Sequence, residues 1–270
     1  MLETRTTKLQ EWATTIHPHK NDNDKVVRIA SPTRPSAAST WSDPKQTAVF
    51  VPGGDVPVDL NGVSMQAWQA PSTIAGWEAL TSPLDDEPSF TPTPHKKTAA
   101  GVIIVENDGR IWLTEPTNHF GGYQHTYPKG TVQDGLSLQA TALKEAYEET
   151  GLQVELIKWF GDYEGDTSMT RYYIARRVGG TPKNMGWESQ ALCLATREEA
   201  ESLLNRNRDR RILADFVGPA STHERTAAHD GEVMPDSSNP GQQPQEQNSA
   251  SVGEITVTGF RMTSANARKI

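Results

Sequence analysis

The sequence predicts an α/β fold on three observations. Between residues 97 and 216, short runs rich in β-branched and aromatic residues alternate with helical segments. Asn107-Asp108-Gly109 separates the first two of these runs and is a strong hairpin signal. The run from Leu138 to Thr150 has the apolar spacing of an amphipathic helix. Strands and helices are therefore expected to share one domain.

The predicted elements follow one another in a regular order. One strand precedes the hairpin turn and one follows it; then come a helix, two strands that end at Gly179-Gly180, a last strand and two closing helices. Their expected bounds are Ala100–Val105, Arg110–Thr114, Leu138–Thr150, Val154–Phe160, Arg171–Val178, Glu188–Ala195, Arg197–Asn205 and Arg210–Val217.

The central helix has well-defined ends. Ser137 is expected to be its N-cap, and Gly151 supplies a position where a left-handed conformation costs little. Leu138, Ala142 and Ala146 recur every four residues and are expected to form its buried stripe. The preceding loop, Pro128-Lys129-Gly130, combines a cation with a helix N-terminus, an arrangement that favours anions.

Three glutamates lie at i, i+3 and i+4 in this helix: Glu145, Glu148 and Glu149. They share one helix face, where like charges destabilise an isolated helix by roughly 0.2–0.5 kcal/mol per pair. A divalent cation would turn this repulsion into ligation, and carboxylate oxygens suit Mg²⁺ or Mn²⁺. The alternative is a solvated acidic surface, which is the usual meaning of a run of charges.

The stretch from Gly130 to Leu152 resembles the Nudix box, a glycine-rich loop followed by a helix with a fixed glutamate pattern. The positions that match the pattern are Gly130, Glu145, Glu148, Glu149, Gly151 and Leu152. With its flanks, the resemblance extends over about residues 97–216. It implies an α/β/α sandwich with a mixed sheet.

Two positions depart from the family pattern. Leu136 replaces the loop glutamate, and Lys144 replaces the arginine before the first helical glutamate. In the family these two residues commonly pair, and the arginine helps to orient the helix. Loss of the acid together with a change of the base indicates a joint change. Leu136 could fill an apolar slot, which would leave Lys144 free for solvent or phosphate.

The resemblance implies metal-assisted hydrolysis of a nucleoside diphosphate linked to another group, such as ADP-ribose, a nucleotide sugar or a dinucleoside polyphosphate. Mg²⁺, or Mn²⁺ in its place, would be held by Glu145, Glu148, Glu149 and the Gly130 carbonyl. Either Glu145 or Glu188 would act as the general base. The box specifies the cleaved diphosphate well and the rest of the substrate poorly.

Outside the helix, five residues are candidates for the site. Glu188 occupies a place where family members often have another metal-binding or base glutamate; the alternative is a strand-edge acid in water. Tyr123 could stack a base or sugar, or fill its own hairpin. His125 could donate to a phosphate, although a lone histidine is more often structural. Arg171 could clamp a phosphate or be solvated, whereas Lys129 lies inside the loop motif.

Composition narrows the function classes. The formal net charge of −8 argues against a broad interface with nucleic-acid phosphates, but not against a small nucleotide substrate. The single cysteine, Cys193, fits a reducing compartment and is expected in the core. No run approaches the roughly 20 apolar residues of a membrane span. We therefore expect a cytoplasmic protein without membrane contact, and its oligomeric state, monomer or homodimer, is left open.

The rest of the chain divides by composition into three segments. Residues 1–45 are expected to be loosely ordered, and 46–96 to form a small extension with a hairpin turn at Asn61-Gly62. Trp68, Trp77, Ile74 and Leu80 would pack this extension on the larger domain. Residues 217–270 read as a largely disordered tail with one strand-like run, Ile255–Phe260.

Two other functions are compatible with the sequence. A Nudix-derived module could sense a nucleotide without cleaving it, with Leu136 and Lys144 marking lost catalysis. Such regulators usually carry a DNA-binding domain, and no basic helix-turn-helix pattern is present. A purely structural or interaction protein would use the acidic helix as solvated surface. Retention of all three helical carboxylates favours the enzyme.

Overall fold

The structure, a computed structural model, describes residues 15–216. The predicted tail at 217–270, with its run Ile255–Phe260, lies outside this range, as do residues 1–14. The strands are β1 (Thr15–Ile16), β2 (Arg28–Ile29), β3 (Ala48–Phe50), β4 (Asp59–Leu60), β5 (Val63–Ser64), β6 (Lys97–Val105), β7 (Ile111–Pro116), β8 (Lys129–Thr131), β9 (Leu152–Glu164), β10 (Ser168–Gly180) and β11 (Ser189–Ala195). The α-helices are α1 (Ile74–Glu78), α2 (Leu138–Thr150), α3 (Arg197–Leu203) and α4 (Asn207–Asp215).

A seven-stranded mixed sheet organises the fold. Its strand order is β3-β11-β7-β6-β10-β9, and β8 also pairs with β6. Strands β10 and β6 run parallel, and the other pairs of this sheet are antiparallel. The predicted α/β class with a mixed sheet is thereby confirmed.

Strand alternation divides the core into two layers. Along β6, Val102 and Ile104 face one side of the sheet and Ile103 faces the other. Helix α2 covers the first side, where Ala142 and Ala146 are fully buried. Helices α3 and α4 cover the second side. The sheet thus lies between helical layers, as the resemblance implied.

The predicted ends of helices and strands agree best with the structure where contacts between neighbouring residues set them. Helix α2 has the predicted bounds, Leu138–Thr150. Strands β9 and β10 extend further than their apolar runs, because cross-strand pairing continues to Met169↔Glu164 at one end and Gly180↔Leu152 at the other. Pairing with a neighbour therefore overrides the polar composition of the strand ends.

The segment before residue 97 is built into the main sheet and its core. Strand β3 pairs with β11, with Val49 opposite Cys193, and Trp41 and Phe50 are buried in the same layer as α2. The hairpin predicted at Asn61-Gly62 is present between β4 and β5. The division of this region at residues 45/46 and 96/97 stays a prediction, although residues from both sides of 45/46 share one core.

Two predicted core residues of this segment are exposed. Ile74 is 48% exposed and Leu80 is 44% exposed, whereas Trp77 between them is 5% exposed. Helix α1 is only five residues long and buries Trp77, whereas Leu80 lies beyond its end. The expectation that Ile74 and Leu80 pack inward was wrong.

Two buried arginines fix the early segment to the sheet. Arg110 donates hydrogen bonds to the carbonyls of Thr40, Trp41 and Gln46 at 2.6–3.1 Å. Arg177 pairs with Glu106 at 2.5 Å and donates to the carbonyl of Leu60 at 2.8 Å. Buried charges persist only when they are paired and hydrogen-bonded, so these contacts hold the segment in place.

Within residues 15–216, no helix is long and apolar enough to cross a membrane.

Candidate active site

Local chemistry places helix α2 where the site requires it. The Ser137 hydroxyl accepts a hydrogen bond from the Ala140 N–H at 3.1 Å and caps the first turn. Gly151 ends the helix with φ of 71°, and its N–H donates to the Tyr147 carbonyl at 2.6 Å. Both predicted ends are confirmed, so sequence-local contacts set where the helix begins and ends.

Two of the helical glutamates point into a desolvated region. Glu145 is 8% exposed, and burial raises its pKa to about 7, with a further increase from the charges of Glu148 and Glu188. Burial also raises the pKa of Glu149, whose Oε2 accepts a hydrogen bond from the Lys129 N–H at 3.3 Å. The negative charges of Glu145 and Glu188 raise the pKa of Glu149 further, so the acids of this region repel one another.

Glu148 differs from its neighbours because its side chain is 49% exposed and pairs with Lys144 one turn earlier. The lysine is thus neither free for solvent nor directed to position 136. Leu136 is 8% exposed in an apolar cluster with Trp77, Ala140 and Leu143. The expected apolar slot for Leu136 is confirmed.

Gly130 lies directly beside the Glu145 carboxylate. It belongs to β8, where it pairs with Ala100 of β6. A Cβ atom at position 130 would lie 2.1 Å from Cδ of Glu145 and 2.2 Å from its Oε2. The glycine is therefore needed so that strand and carboxylate can approach each other.

The donor set suits a hard divalent cation. Its members are carboxylate oxygens with a backbone carbonyl close by, which is the chemistry that Mg²⁺ and Mn²⁺ prefer. Among residues 15–216, no three Asp, Glu, His or Cys side chains already converge on one point. Because Glu148 is held by Lys144, ligation would require this side chain to rotate away from its ion pair. The carboxylates would then exchange mutual repulsion for a shared counter-charge.

Glu188 lies at the start of the last strand, near the helical acids. Its pKa is raised, first by partial burial of the carboxyl group and then by the charges of Asp22 and Glu148. Asp22 was not foreseen; it comes from the early segment and accepts a hydrogen bond from the Trp187 indole at 3.1 Å. The structure thus brings Glu188 close to the helical carboxylates.

Lys129 and Tyr123 form the cationic side of the site. The Lys129 ammonium donates to the Thr126 hydroxyl at 2.9 Å and lies 4.8 Å from the centroid of the Tyr123 ring. Burial lowers the pKa of Lys129, and the negative charge of Glu149 opposes that shift. The ammonium is therefore desolvated and close to both the aromatic ring and the acids.

Sequence reasoning missed two arginines around the same ring. The guanidinium carbons of Arg206 and Arg208 lie 4.9 and 5.9 Å from the Tyr123 centroid. Arg208 also donates to the Tyr123 hydroxyl at 3.4 Å. The sequence run Asn205–Arg211, with four arginines in seven residues, was the available indication. We call Tyr123, Lys129, Arg206 and Arg208 the cation–tyrosine cluster.

Arg171 is a correction to the predicted site. It is 2% exposed and makes a bidentate pair with Asp162 at 2.7 and 2.8 Å. Its remaining nitrogen donates to Glu87 at 3.0 Å and to the Pro88 carbonyl at 2.8 Å. These four hydrogen bonds use four of its five N–H donors, and the buried guanidinium is held between Asp162 and Glu87 in a structural ion-pair network.

His125 is a second correction. Its Nε2 lies 3.2 Å from the Cys193 sulfur and 3.9 Å from a Glu115 oxygen, and burial lowers its pKa. The residue forms a β-bridge with Leu204 and belongs to the layer under α3. Its contacts with Cys193 and Leu204 therefore place it in the core and not among the helical carboxylates.

The fold and this arrangement define a class: an α/β sandwich in which an acidic helix packs beside a strand glycine. Residues 95–216 match the family model described as NUDIX domain. Over these residues, the resemblance to the Nudix family is confirmed.

Two relatives illustrate the similarity. An RNA pyrophosphohydrolase of Caulobacter vibrioides is 33% identical over 99 residues, covering 36% of this chain and 54% of the relative. The NAD-capped RNA hydrolase NudC of Vibrio atlanticus is 32% identical over 84 residues, covering 30% of this chain and 31% of the relative. The chain thus spans about half the length of the first relative and a third of the second.

Among solved structures, a NUDIX hydrolase from Nitrosomonas europaea is similar with 20% identity and a TM-score of 0.39. The match covers 45% of this chain and 69% of that one.

Proposed function

We propose that the protein hydrolyses the diphosphate linkage of a nucleoside diphosphate joined to another group, in a reaction that depends on a divalent cation. The observation that carries the proposal is the approach of Gly130 to the Glu145 carboxylate, with Glu148, Glu149 and Glu188 beside it. The match to the Nudix family and relatives that are pyrophosphohydrolases support the reaction type.

Glu145, Glu148, Glu149 and the Gly130 carbonyl are the groups that would hold the cation. When bound, such an ion neutralises phosphate charge and lowers the pKa of a water molecule. Glu145 and Glu188 are the candidate general bases, since burial and neighbouring acids raise both pKa values toward neutrality. Of the two, Glu188 is the better base if Glu145 serves as a ligand.

The cation–tyrosine cluster would hold the phosphate on the other side of the cleaved bond. Lys129 connects the two regions, because its N–H contacts Glu149 while its ammonium lies over Tyr123. Arginine suits phosphate because its fork of donors matches phosphate oxygens. Charge that develops on the leaving phosphate would thus be stabilised by preformed cations.

A test of this function measures product release from a panel that includes ADP-ribose, a nucleotide sugar, a dinucleoside polyphosphate and a 5′-triphosphorylated RNA. Mg²⁺ and Mn²⁺ are each compared with EDTA. We expect release of a nucleoside monophosphate from at least one small substrate, and only with a cation. Cleavage of the RNA alone would shift the substrate class, and binding without cleavage would favour the sensing module.

A matched pair of variants tests the cluster. Arg206→Gln and Arg208→Gln remove cations beside Tyr123, whereas Arg176→Gln removes an exposed arginine that pairs with Glu155 on another part of the sheet. We expect KM to rise for the first two and to stay unchanged for the control. Equal KM values for all three would remove the cluster from the substrate site.

A further inference from the structure

A segment before the Nudix domain crosses the N-terminal half of helix α2. We call Trp68–Pro88 the strap; it contains helix α1. The Glu78 carboxylate of the strap accepts a hydrogen bond from the backbone N–H of Ser137, the residue that caps α2. The strap therefore contacts the N-terminal end of α2, the helix that carries Glu145, Glu148 and Glu149.

This contact completes a capping arrangement that the helix lacks on its own. In a capping box, a Ser or Thr N-cap bonds the third helical N–H, and a Glu at that third position bonds the N-cap N–H in return. Ser137 makes the first bond, to Ala140, but alanine offers no carboxylate for the second. Glu78 supplies it from 59 residues earlier in the chain. A carboxylate there also opposes the positive end of the helix dipole.

Aromatic packing fixes the next turns of the helix. The Trp68 ring meets Tyr147 edge-on with centroids 5.3 Å apart, and the Trp77 ring lies 6.3 Å from the same tyrosine. Tyr147 stands between Glu145 and Glu148 in the helix. Trp77 also belongs to the apolar cluster that contains Leu136. A change in the strap would therefore rotate or tilt the residues that carry the carboxylates.

Glu87 connects the strap, the helix and the sheet. Its Oε2 accepts a hydrogen bond from the Gln139 amide at 2.6 Å. Its Oε1 accepts from Arg171 at 3.0 Å and from the Tyr173 hydroxyl at 2.7 Å. Through this contact the buried Arg171 anchors the strap to β10.

We propose that the strap positions the α2 carboxylates and replaces the acid–base pair that the family pattern places at positions 136 and 144. In this chain Leu136 packs in the strap's apolar cluster and Lys144 pairs with Glu148, so the usual pair cannot form. Glu78 is a positioning residue that acts through Ser137. The proposal rests on the proposed hydrolytic function for its kinetic readout.

The test compares Glu78→Ala with three other variants. Glu78→Gln keeps a hydrogen-bond acceptor, and Asp85→Asn changes an exposed strap acid. Phe50→Leu weakens the core layer that edge strand β3 shares with α2. For each, kcat and KM are measured well below the melting temperature, together with Mn²⁺ affinity by electron paramagnetic resonance. Hydrogen exchange of the amides of Ser137 and Ala140 reports on the helix end.

We expect Glu78→Ala to lower kcat by about 10- to 100-fold, as loss of groups that orient metal ligands does, with little change in KM. Exchange at the helix end should accelerate, Mn²⁺ affinity should fall, and Glu78→Gln should restore part of kcat. Asp85→Asn and Phe50→Leu should keep wild-type kcat at that temperature.

Unchanged exchange in Glu78→Ala overturns the proposal whatever the activity. Faster exchange with unchanged kcat also overturns the proposal, and so does an equal loss of kcat in Phe50→Leu. In either case the strap would stabilise the fold without positioning the carboxylates. If the wild-type protein cleaves no substrate, the proposed hydrolytic function is wrong. The effect of Glu78→Ala on Mn²⁺ affinity then tests, in place of kcat, whether the strap positions the carboxylates.

Discussion

The Glu145 carboxylate fills the space that a side chain at position 130 would need, since a Cβ atom there would lie 2.1 Å from Cδ of Glu145. The obstructing atoms are the end of a flexible side chain. Gly130→Ala should therefore fold with a nearly unchanged melting temperature, while its displaced carboxylate lowers hydrolysis strongly.

Gly101→Ala is the contrasting variant. Its Cβ would lie 2.6 Å from the Pro128 carbonyl oxygen, a backbone atom that cannot rotate away. We expect it to lower the melting temperature clearly, unlike Gly130→Ala. Comparable destabilisation of both proteins would mean that the Glu145 side chain cannot yield, and the inference about its position would fail.

The helical carboxylates are expected to be essential for turnover. Glu148→Gln and Glu149→Gln remove charge with almost no change of shape, so the fold should survive and hydrolysis should fall by orders of magnitude. Glu198→Gln, on the exposed face of α3, is the matched control and should retain full activity. Near-normal turnover in both site variants would place the metal elsewhere.

Leu136 should not accept the acid that the family pattern has at its position. Leu136→Glu would put a carboxylate into the apolar cluster around Trp77, at a cost of about 1–3 kcal/mol of folding free energy and without a gain in activity. Adding Lys144→Arg should recover part of the loss through a bidentate pair.

Urea unfolding and initial rates of the two single variants and the double variant measure this coupling. Additive effects, or a gain of activity from Leu136→Glu alone, would identify the leucine as a defect and favour the sensing module.

The buried thiol should be unreactive in the folded protein. Burial raises the pKa of Cys193 to about 12, chiefly by desolvation and further through the charge of Glu115. Since the thiolate is the nucleophile, at pH 8 only about one molecule in ten thousand would carry it. Labelling with a chromogenic disulfide at pH 8 should be slow until a denaturant is added. Rapid labelling of the native protein would contradict the burial of this residue.

Removal of residues 218–270 should leave the melting temperature and activity nearly unchanged, because this composition cannot bury a core. The truncation keeps Phe216, which is 6% exposed under α4 and whose carbonyl accepts a hydrogen bond from Arg197. Thermal unfolding and initial rates of the truncated and full chains provide the check. A large loss of stability would show that Ile255–Phe260 pairs with the domain.

Local patterns predicted what local contacts determine. The bounds of α2 follow from Ser137 and Gly151, and the shared face of its glutamates follows from their spacing. The hairpin turns at Asn61-Gly62 and Asn107-Asp108-Gly109 likewise needed only neighbouring residues. In each case the partner of a backbone group lies within a few positions in the chain.

Long-range partners could not be predicted in this way. Arg171 finds Glu87 across 84 positions, and His125 finds Cys193 across 68. The sequence suggested that both side chains could bind phosphate, because their actual partners are far from them in the chain. The strap contact between Glu78 and Ser137 and the arginines around Tyr123 were missed for the same reason. The partners of these side chains depend on the strand order of the sheet and on the packing of its layers, which are known only from the fold.

The most direct test of the account is product analysis of ADP-ribose and related diphosphates after incubation with Mg²⁺. The wild-type protein and Glu149→Gln are compared under identical conditions. We expect the wild-type protein to release a nucleoside monophosphate and a phosphorylated partner, and Glu149→Gln to release neither above background. Absence of cleavage of the whole panel with Mg²⁺ and Mn²⁺, or equal cleavage by the variant, would contradict the proposed active site.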